Sequence, residues 1–119
     1  MKALKIFTYA NCGSCRKATK WLRERSLDFV EIPIREQAPS REELARMLEI
    51  YGGQIKRLFN TSGADYRSLG LGPKLATMPD EEILALLASN GNLVKRPFLL
   101  TEKGGLVGFK EEEWESFFG

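Results

Sequence analysis

The sequence predicts a three-layer α/β/α domain, and two observations predict it. A strand, a helix and a second strand follow one another between residues 4 and 34, and a β-hairpin pattern followed by a last helix occupies residues 97–118. A sheet built from these strands has two faces to cover, and the chain has helices for both. We expect a single domain over residues 1–119, with a helical insertion at about residues 40–90.

The first unit has the order β-α-β. Residues 4–9 are mostly apolar and aromatic, as in a buried strand, and residues 14–25 have the apolar spacing of a helix. Residues 29–34 alternate like a second strand. A helical crossover of this kind favours two parallel strands in a right-handed arrangement.

The middle of the chain is predicted to be helical. Ser40 provides an N-cap and Glu43 completes a capping box for a helix that ends at Gly52 and Gly53. Mixed signals in residues 54–71 indicate short helices around a turn. Residues 79–88 open with a proline and three acidic residues, which is typical of a helix start.

The last part of the chain predicts a hairpin and a helix. Residues 97–101 and 106–109 are predicted strands around a turn at residues 103–105, and residues 111–118 form the terminal helix. Together with a Cys-x-x-Cys pair directly after the first strand, this order has the layout of a thioredoxin-like domain with a helical insertion.

Composition excludes several functions. The net charge of +2, with Lys and Arg scattered among Asp and Glu, does not support direct nucleic-acid binding. The chain contains no histidine, which removes imidazole-based hydrolysis and histidine-ligated metals. No apolar run approaches the roughly 20 residues of a membrane span. We expect a cytoplasmic protein without a signal peptide, in a compartment that keeps thiols reduced.

Cys12 and Cys15 are the candidate catalytic residues. They lie at a strand-to-helix turn, where unpartnered backbone N–H groups and the helix dipole favour a thiolate. Two thiols spaced three apart on a helical turn can reach bonding distance. We expect Cys12 to attack an oxidised partner and to form a mixed species with it. Cys15 then releases the partner by closing an intramolecular disulfide with Cys12.

Neighbouring residues complete the predicted site. Arg16 adds positive charge beside the thiols, and Gly13 lets a substrate approach the backbone. Arg96 precedes Pro97. In thioredoxin-like folds a cis-proline at this point packs against the redox cysteines, and the resemblance to that layout implies that Arg96 lies near the sulfurs and can hold an anion or a thiolate. Arg96 can equally be an ordinary basic residue before an edge-strand proline. The predicted substrate-binding residues are Asn11, Gly13, Ser14, Asn60 and Pro97.

Three other interpretations of these cysteines involve no disulfide chemistry. Half of a zinc site is one, but a second cysteine pair and histidines are missing, so we predict no metal. Two buried structural cysteines are another, and their position at a helix start argues against it. The third is a cysteine phosphatase loop, in which an arginine follows the cysteine after five intervening residues. The corresponding positions after Cys12 and Cys15 hold Ala18 and Trp21, which excludes this loop.

With these residues assembled, the chain resembles the arsenate reductase (ArsC-type) and Spx family of thioredoxin-like proteins over nearly its whole length. The shared segments are residues 12–18, 60–66, 95–100 and 107–109. In the arsenate reductases, the resemblance implies, a cysteine at the position of Cys12 attacks arsenate, arginines bind the oxyanion, and glutathione with glutaredoxin completes the reduction. Arg16 and Arg96 fall on family positions.

The sequence departs from the arsenate reductase pattern. Asn60 stands where a middle-segment arginine is expected, and Phe109 or Lys110 replaces another arginine, which weakens an oxyanion site. Cys15 instead resembles Spx, a regulator in which a Cys-x-x-Cys disulfide switches binding to the RNA polymerase α-subunit. Gly52 matches a glycine of that interface, although it also serves as a helix stop.

We therefore expect a thiol–disulfide oxidoreductase, with a Spx-type redox-switched regulator as the alternative. The enzyme would hold no bound cofactor and would draw electrons from glutathione and glutaredoxin or from a thioredoxin. Its expected partners are a small thiol, an oxyanion or an oxidised protein, and in the alternative the RNA polymerase α-subunit. We expect a monomer that contacts neither nucleic acid nor membrane.

Overall fold

The computed structural model describes residues 4–119. Its strands lie in the first and last parts of the chain, and the middle part is helical. In chain order they are β1 (Leu4–Thr8), α1 (Gly13–Glu24), β2 (Phe29–Pro33), α2 (Arg41–Ile50), a 3₁₀ turn (Ile55–Leu58), α3 (Ala64–Ser68), α4 (Leu71–Lys74), α5 (Asp80–Ser89), a second 3₁₀ turn (Gly91–Leu93), β3 (Phe98–Leu100), β4 (Gly105–Val107) and α6 (Glu111–Phe118).

The four strands form one sheet in the order β2-β1-β3-β4. β1 and β2 are parallel, and β1 pairs antiparallel with β3, with Phe7 opposite Phe98. The chain therefore leaves β1 and β2 at the same edge of the sheet at which it enters β3. This edge brings the residues after β1, which include the cysteine pair, close to Arg96 and Pro97.

Helices cover both faces of the sheet. Because neighbouring residues of a strand point to opposite faces, Ile6 and Phe7 belong to different cores. Ile6 packs with Trp21 of α1 and Trp114 of α6. Phe7 packs with Met47 of α2 and with residues of α5. The three-layer arrangement predicted from the sequence is confirmed.

Local signals also agree with the structure. The Ser40 hydroxyl accepts a hydrogen bond from the Glu43 N–H at 3.1 Å, and the Glu43 carboxylate accepts one from the Ser40 N–H at 2.9 Å, so the capping box is present. Gly52 and Gly53, which follow α2, have φ values of 66° and 84°, in the region that favours glycine. The hairpin strands are shorter than expected, because only three residues of each are paired.

Over residues 4–119, none of the helices has the length and apolar character needed to cross a bilayer.

Candidate active site

The candidate site is built around the start of α1. Cys12 is the N-cap residue, with an extended backbone, and its sulfur accepts the backbone N–H of Cys15 at 3.3 Å. Cys12 is partly exposed, whereas Cys15 lies one turn deeper with 2% of its surface exposed. Both thiols are free. An accessible sulfur and a buried sulfur thus share one helical turn, as the sequence predicts.

The environment of Cys15 keeps its thiol protonated. Burial is the largest cause and, with the hydrogen bond and the charge of Cys12, raises the pKa of Cys15 to about 12. The Tyr9 N–H, which points at the Cys15 sulfur at 3.5 Å, and the charge of Arg96 act in the opposite direction. Two of the causes that raise this pKa come from Cys12 itself, so they disappear once the Cys12 sulfur is bonded to another sulfur.

Arg96 belongs to the site through its contact with the Tyr9 ring. Its guanidinium carbon lies 4.8 Å from the centre of the Tyr9 ring, within the range of a cation–π contact. The bond between Arg96 and Pro97 is cis, as expected, and Pro97 is buried. Among residues 4–119, the Nη1 atom of Arg96 is buried and meets no hydrogen-bond acceptor. A buried donor of this kind is costly unless an anion or a thiolate accepts from it.

A second arginine, Arg35, also contacts Tyr9. Arg35, just after β2, donates a 2.7 Å hydrogen bond to the Tyr9 hydroxyl, and its guanidinium carbon lies 4.9 Å from the ring centre. Asn11 donates to the same hydroxyl at 3.4 Å. The pKa of Tyr9 is lowered, first by the hydrogen bond from Asn11 and then by the charge of Arg35.

The remaining residues near the cysteines are placed as follows. Arg16 is exposed and donates a 3.0 Å hydrogen bond to the Ala10 carbonyl, so it braces the loop between β1 and α1. Gly13 and Ser14 are exposed on the first turn, and a Cβ atom built on Gly13 would meet no heavy atom within 4 Å. The space at Gly13 is therefore open to a substrate.

Asn60 has a different setting from the other predicted residues. Its amide nitrogen donates to the Asn92 carbonyl at 3.4 Å, and its amide oxygen accepts from Ser62 at 3.4 Å. Both ends of the amide thus hold the local loop. Thr61, the next residue, lines a cleft that also includes Ser14 and Arg96.

The sequence reasoning missed Tyr9 and Arg35. A signal for them was available, because the carboxyl ends of two parallel strands lie at one edge of a sheet. Tyr9 directly follows β1. Arg35 is the second residue after β2, and Ile34 is the first. The predicted β-α-β unit therefore already implied that these side chains are neighbours beside the cysteines.

The donor set does not favour a metal. Within the part of the chain that the structure describes, His, Cys, Asp and Glu side chains form no group of three or more that could hold an ion. The chemistry available at the site is that of two thiols and the surrounding guanidinium groups.

Comparisons with known proteins fit this arrangement. The ArsC family model matches residues 7–117. A solved structure of an ArsC family related protein from Bacteroides fragilis superimposes with a TM-score of 0.90, with 45% identity and 97% of each chain covered. The thioredoxin-like fold is thus shared.

Two curated relatives are similar over nearly the whole chain. YusI from Bacillus subtilis, an uncharacterized protein, is 48% identical over 113 residues, which are 95% of this chain and 96% of YusI. The global transcriptional regulator Spx from Enterococcus faecalis is 32% identical over 114 residues, which are 96% of this chain and 85% of Spx.

Proposed function

The chain belongs to the ArsC family, and we propose that it is a thiol–disulfide oxidoreductase of this family, with Cys12 as nucleophile and Cys15 as resolving thiol. One observation carries the proposal. A partly exposed sulfur at the start of α1 accepts the N–H of a residue whose own sulfur is buried one turn deeper, at 3.3 Å between Cys12 Sγ and Cys15 N. This is the geometry that sequential attack and resolution need.

The reaction proceeds in two thiol exchanges. The Cys12 thiolate attacks one sulfur of a substrate disulfide, forms a mixed disulfide and releases the other half of the substrate as a thiolate. Cys15 then loses its proton to solvent or to the departing thiolate and attacks the Cys12 sulfur. This step releases the second half and leaves a Cys12–Cys15 disulfide. The substrate has gained two electrons, and an external dithiol or two monothiols must return them.

The surroundings of Cys15 give these exchanges an order. Before the first exchange, burial and Cys12 hold the pKa of Cys15 at about 12, so the buried thiol does not compete for the substrate. Bonding of Cys12 to a substrate sulfur removes the negative charge next to Cys15. The Tyr9 N–H, at 3.5 Å from the Cys15 sulfur, is then placed to stabilise the attacking thiolate.

The guanidinium groups favour a disulfide over arsenate as substrate. Tight binding of an oxyanion calls for several guanidiniums that converge on it. Arg96 is available, but Arg35 and Arg16 already donate to Tyr9 and to Ala10. Asn60 stands at an arginine position of the arsenate reductases, and its amide holds the local loop by donating to the Asn92 carbonyl. We therefore assign Arg96 to the stabilisation of a thiolate, and Gly13, Ser14 and Pro97 to substrate contact.

The electron donor that we propose is glutathione with glutaredoxin or a thioredoxin, in a reducing cytoplasm. In this scheme the protein works as a monomer and holds no cofactor, since both redox groups are side chains of one helical turn.

A single-turnover reaction tests the function without any assumption about the donor. The prereduced protein is mixed with hydroxyethyl disulfide or a glutathionylated peptide, and its mass is followed with time. We expect wild type to lose two hydrogens as the intramolecular disulfide forms. Cys12→Ser should not react. Cys15→Ser should stop at a mixed disulfide that carries one half of the substrate.

The matched serine variants make this test decisive. A Cys12→Ser protein that reacts as fast as wild type, or a Cys15→Ser protein that accumulates no mixed disulfide, would contradict the assigned roles. A wild-type protein that reduces neither substrate would rule out the enzymatic function.

A redox-switched regulator is the second candidate, and the similarity to Spx favours it. Gly52 does not add support, because its φ of 66° already favours a glycine at the end of α2. The two functions differ in a binding experiment. If the protein captures the RNA polymerase α-subunit only when the Cys12–Cys15 disulfide is formed, the disulfide switches a surface; equal or absent capture in both redox states argues against this role.

A further inference from the structure

A cleft of about 680 Å³ opens beside the candidate active site. Its walls come from the 3₁₀ turn Ile55–Leu58, the segment before β3 and the segment between β4 and α6. We call it the basic cleft, because its lining carries five cationic side chains and a single carboxylate, that of Glu113. The five cations are Lys56, Arg57, Lys95, Arg96 and Lys110.

The positive charge of the basic cleft exceeds the charge of its one carboxylate, Glu113. Among residues 4–119, none of its cations takes part in an ion pair. Arg57 stacks on the Tyr51 ring, with its guanidinium carbon 4.5 Å from the ring centre, and so keeps its charge free. Arg96 adds a buried Nη1 donor that meets no acceptor in the described chain. Like charges gathered around one cleft attract an anion and raise its local concentration.

The position of the cleft connects it to the thiols. Ser14, on the first turn of α1 and two residues after Cys12, lines the cleft together with Arg96. A molecule held in the cleft therefore reaches the helix start that carries the nucleophile. Phe59 and Phe109 supply apolar surface between the charges. The lining thus combines apolar contact with separated cations, which suits a peptide.

We propose that the basic cleft binds the carboxylates of a short acidic peptide whose cysteine forms the disulfide that Cys12 attacks. This inference rests on the proposed function and names its substrate class. The size of the cleft matches a ligand of a few residues, since small-molecule sites span about 300–1,000 Å³. An inorganic oxyanion would engage only one end of it. Two or more carboxylates on one peptide can meet Lys56 and Lys110 while the cysteine lies near Ser14.

The test compares two peptide disulfides of equal size. Both are symmetric disulfides of a pentapeptide with cysteine in the middle; one has glutamate at each end and the other has glutamine. The rate constant of the single-turnover reaction is measured at low salt. We expect wild type to react faster with the acidic peptide. The double variant Lys56→Gln, Lys110→Gln should lower that rate about three- to tenfold, since each exposed charge contributes modestly, and should leave the neutral peptide unchanged.

A charge-matched control uses cations at the opposite edge of the sheet. Arg41 lies in the first turn of α2, close to Glu43, which pairs with Lys5 near the start of β1 at 2.7 Å. Lys103 lies in the turn between β3 and β4. The double variant Arg41→Gln, Lys103→Gln removes the same charge and should not change the rate with either peptide. An equal loss in both double variants would overturn the proposal.

A binding measurement separates this inference from the proposed function. The acidic peptide, S-methylated so that it cannot react, is titrated into reduced wild type and into the Lys56→Gln, Lys110→Gln variant by calorimetry. Weaker binding by the variant supports the basic cleft even if no disulfide is reduced. Equal binding, or no preference over the S-methylated neutral peptide, overturns it even if turnover occurs.

A third substrate, glutathione disulfide, shows whether the acidic peptide is a free small thiol or a segment of a polypeptide. Glutathione disulfide presents the same carboxylate chemistry on a free tripeptide. If its rate also falls in the Lys56→Gln, Lys110→Gln variant, a small acidic thiol is sufficient. If only the pentapeptide rate falls, the cleft accepts an acidic segment of a polypeptide. Both results support carboxylate binding, and no effect on either substrate contradicts it.

Discussion

The Arg35 guanidinium donates a 2.7 Å hydrogen bond to the Tyr9 hydroxyl, and this contact joins the ends of the parallel strands β1 and β2 beside the cysteine pair. Arg96 approaches the same ring from the start of β3, with 4.8 Å between its guanidinium carbon and the ring centre. The Tyr9 backbone N–H points at the Cys15 sulfur. One residue thus connects three strand ends to the buried thiol, and its ring orients Arg96.

Tyr9 variants separate the ring from the hydroxyl. Tyr9→Phe keeps the ring under Arg96, so we expect a single-turnover rate within about twofold of wild type. Tyr9→Ala removes the ring, and loss of a cation–π contact of about 0.5–2 kcal/mol should slow the reaction roughly three- to tenfold. Stopped-flow mixing with hydroxyethyl disulfide measures both rates. Equal rates in the two variants would show that the ring does not position Arg96.

The Tyr9 phenol should ionise at a lower pH than ordinary tyrosine. The hydrogen bond from Asn11 and the charge of Arg35 both favour the phenolate and lower the pKa of Tyr9. In a spectroscopic titration of tyrosine absorbance, Arg35→Gln should move one transition to higher pH. Tyr9→Phe identifies that transition by removing it. A titration curve unchanged by Arg35→Gln would contradict the assigned contact.

Local sequence signals predicted the elements well because each depends on a few neighbouring residues. Ser40 and Glu43 indicate their helix start through two hydrogen bonds within one turn. The order of strands and the Cys-x-x-Cys pair placed Cys12 and Cys15 after the first strand, and the resemblance to thioredoxin-like folds placed Arg96 and Pro97 beside them.

The rest of the site depends on contacts between distant segments. The residues that line the basic cleft come from four segments, and no local pattern predicts that these segments lie close together. Asn60 is predicted to contact the substrate from its place in a motif, and its amide also donates to Asn92, 32 residues further along the chain. Tyr9 and Arg35 lie 26 residues apart and become neighbours only once the strands are parallel.

Cys15 should make the reduced protein less stable at high pH. In the unfolded chain its thiol ionises near the ordinary value of about 9, whereas in the folded protein burial and Cys12 raise its pKa to about 12. The folded state therefore holds this proton more tightly, and the resulting stability is present below pH 9 and is lost as the pH rises toward 12. Urea unfolding of the reduced protein at pH 8, 9, 10 and 11 measures the loss.

Cys15→Ala is the matched control for this pH dependence. It removes the buried thiol and leaves every other ionisable side chain in place. We expect the free energy of unfolding to fall more steeply above pH 9 in wild type than in the variant. Parallel curves would contradict the raised pKa of Cys15.

The capping box at the start of α2 should contribute in two separable ways. Ser40→Ala removes the acceptor for the Glu43 N–H and should cost about 1 kcal/mol at neutral pH. Burial alone would raise the pKa of Glu43, but hydrogen bonds from Lys5 and from the Ser40 backbone outweigh it and lower this pKa. Stability from the carboxylate is therefore present above its ordinary pKa and is lost as the pH falls.

Glu43→Gln tests the second contribution. The glutamine keeps a hydrogen-bond acceptor for the Ser40 N–H but has no charge for Lys5, which lies 2.7 Å from the Glu43 carboxylate. We expect urea unfolding of this variant to depend less on pH between 3 and 6 than that of wild type or Ser40→Ala. A Ser40→Ala protein as stable as wild type would show that the cap is not needed.

Gly13 and Gly91 should respond in opposite ways to alanine, because their surroundings differ. A Cβ atom on Gly91 would overlap the Ile34 carbonyl, so Gly91→Ala must displace the backbone after β2. We expect it to cost at least about 1–3 kcal/mol in urea unfolding. Gly13 has no heavy atom within 4 Å of such a Cβ. Gly13→Ala should fold with unchanged or slightly higher stability, by up to about 1 kcal/mol.

The reason for a glycine at position 13 should then appear in the reaction and not in folding. A methyl group next to Cys12 narrows the approach of a disulfide to the nucleophile. We expect Gly13→Ala to slow the single-turnover reaction with the pentapeptide disulfides more than with the smaller hydroxyethyl disulfide. If both substrates react at wild-type rates, the open space at Gly13 is not the path by which the substrate reaches Cys12.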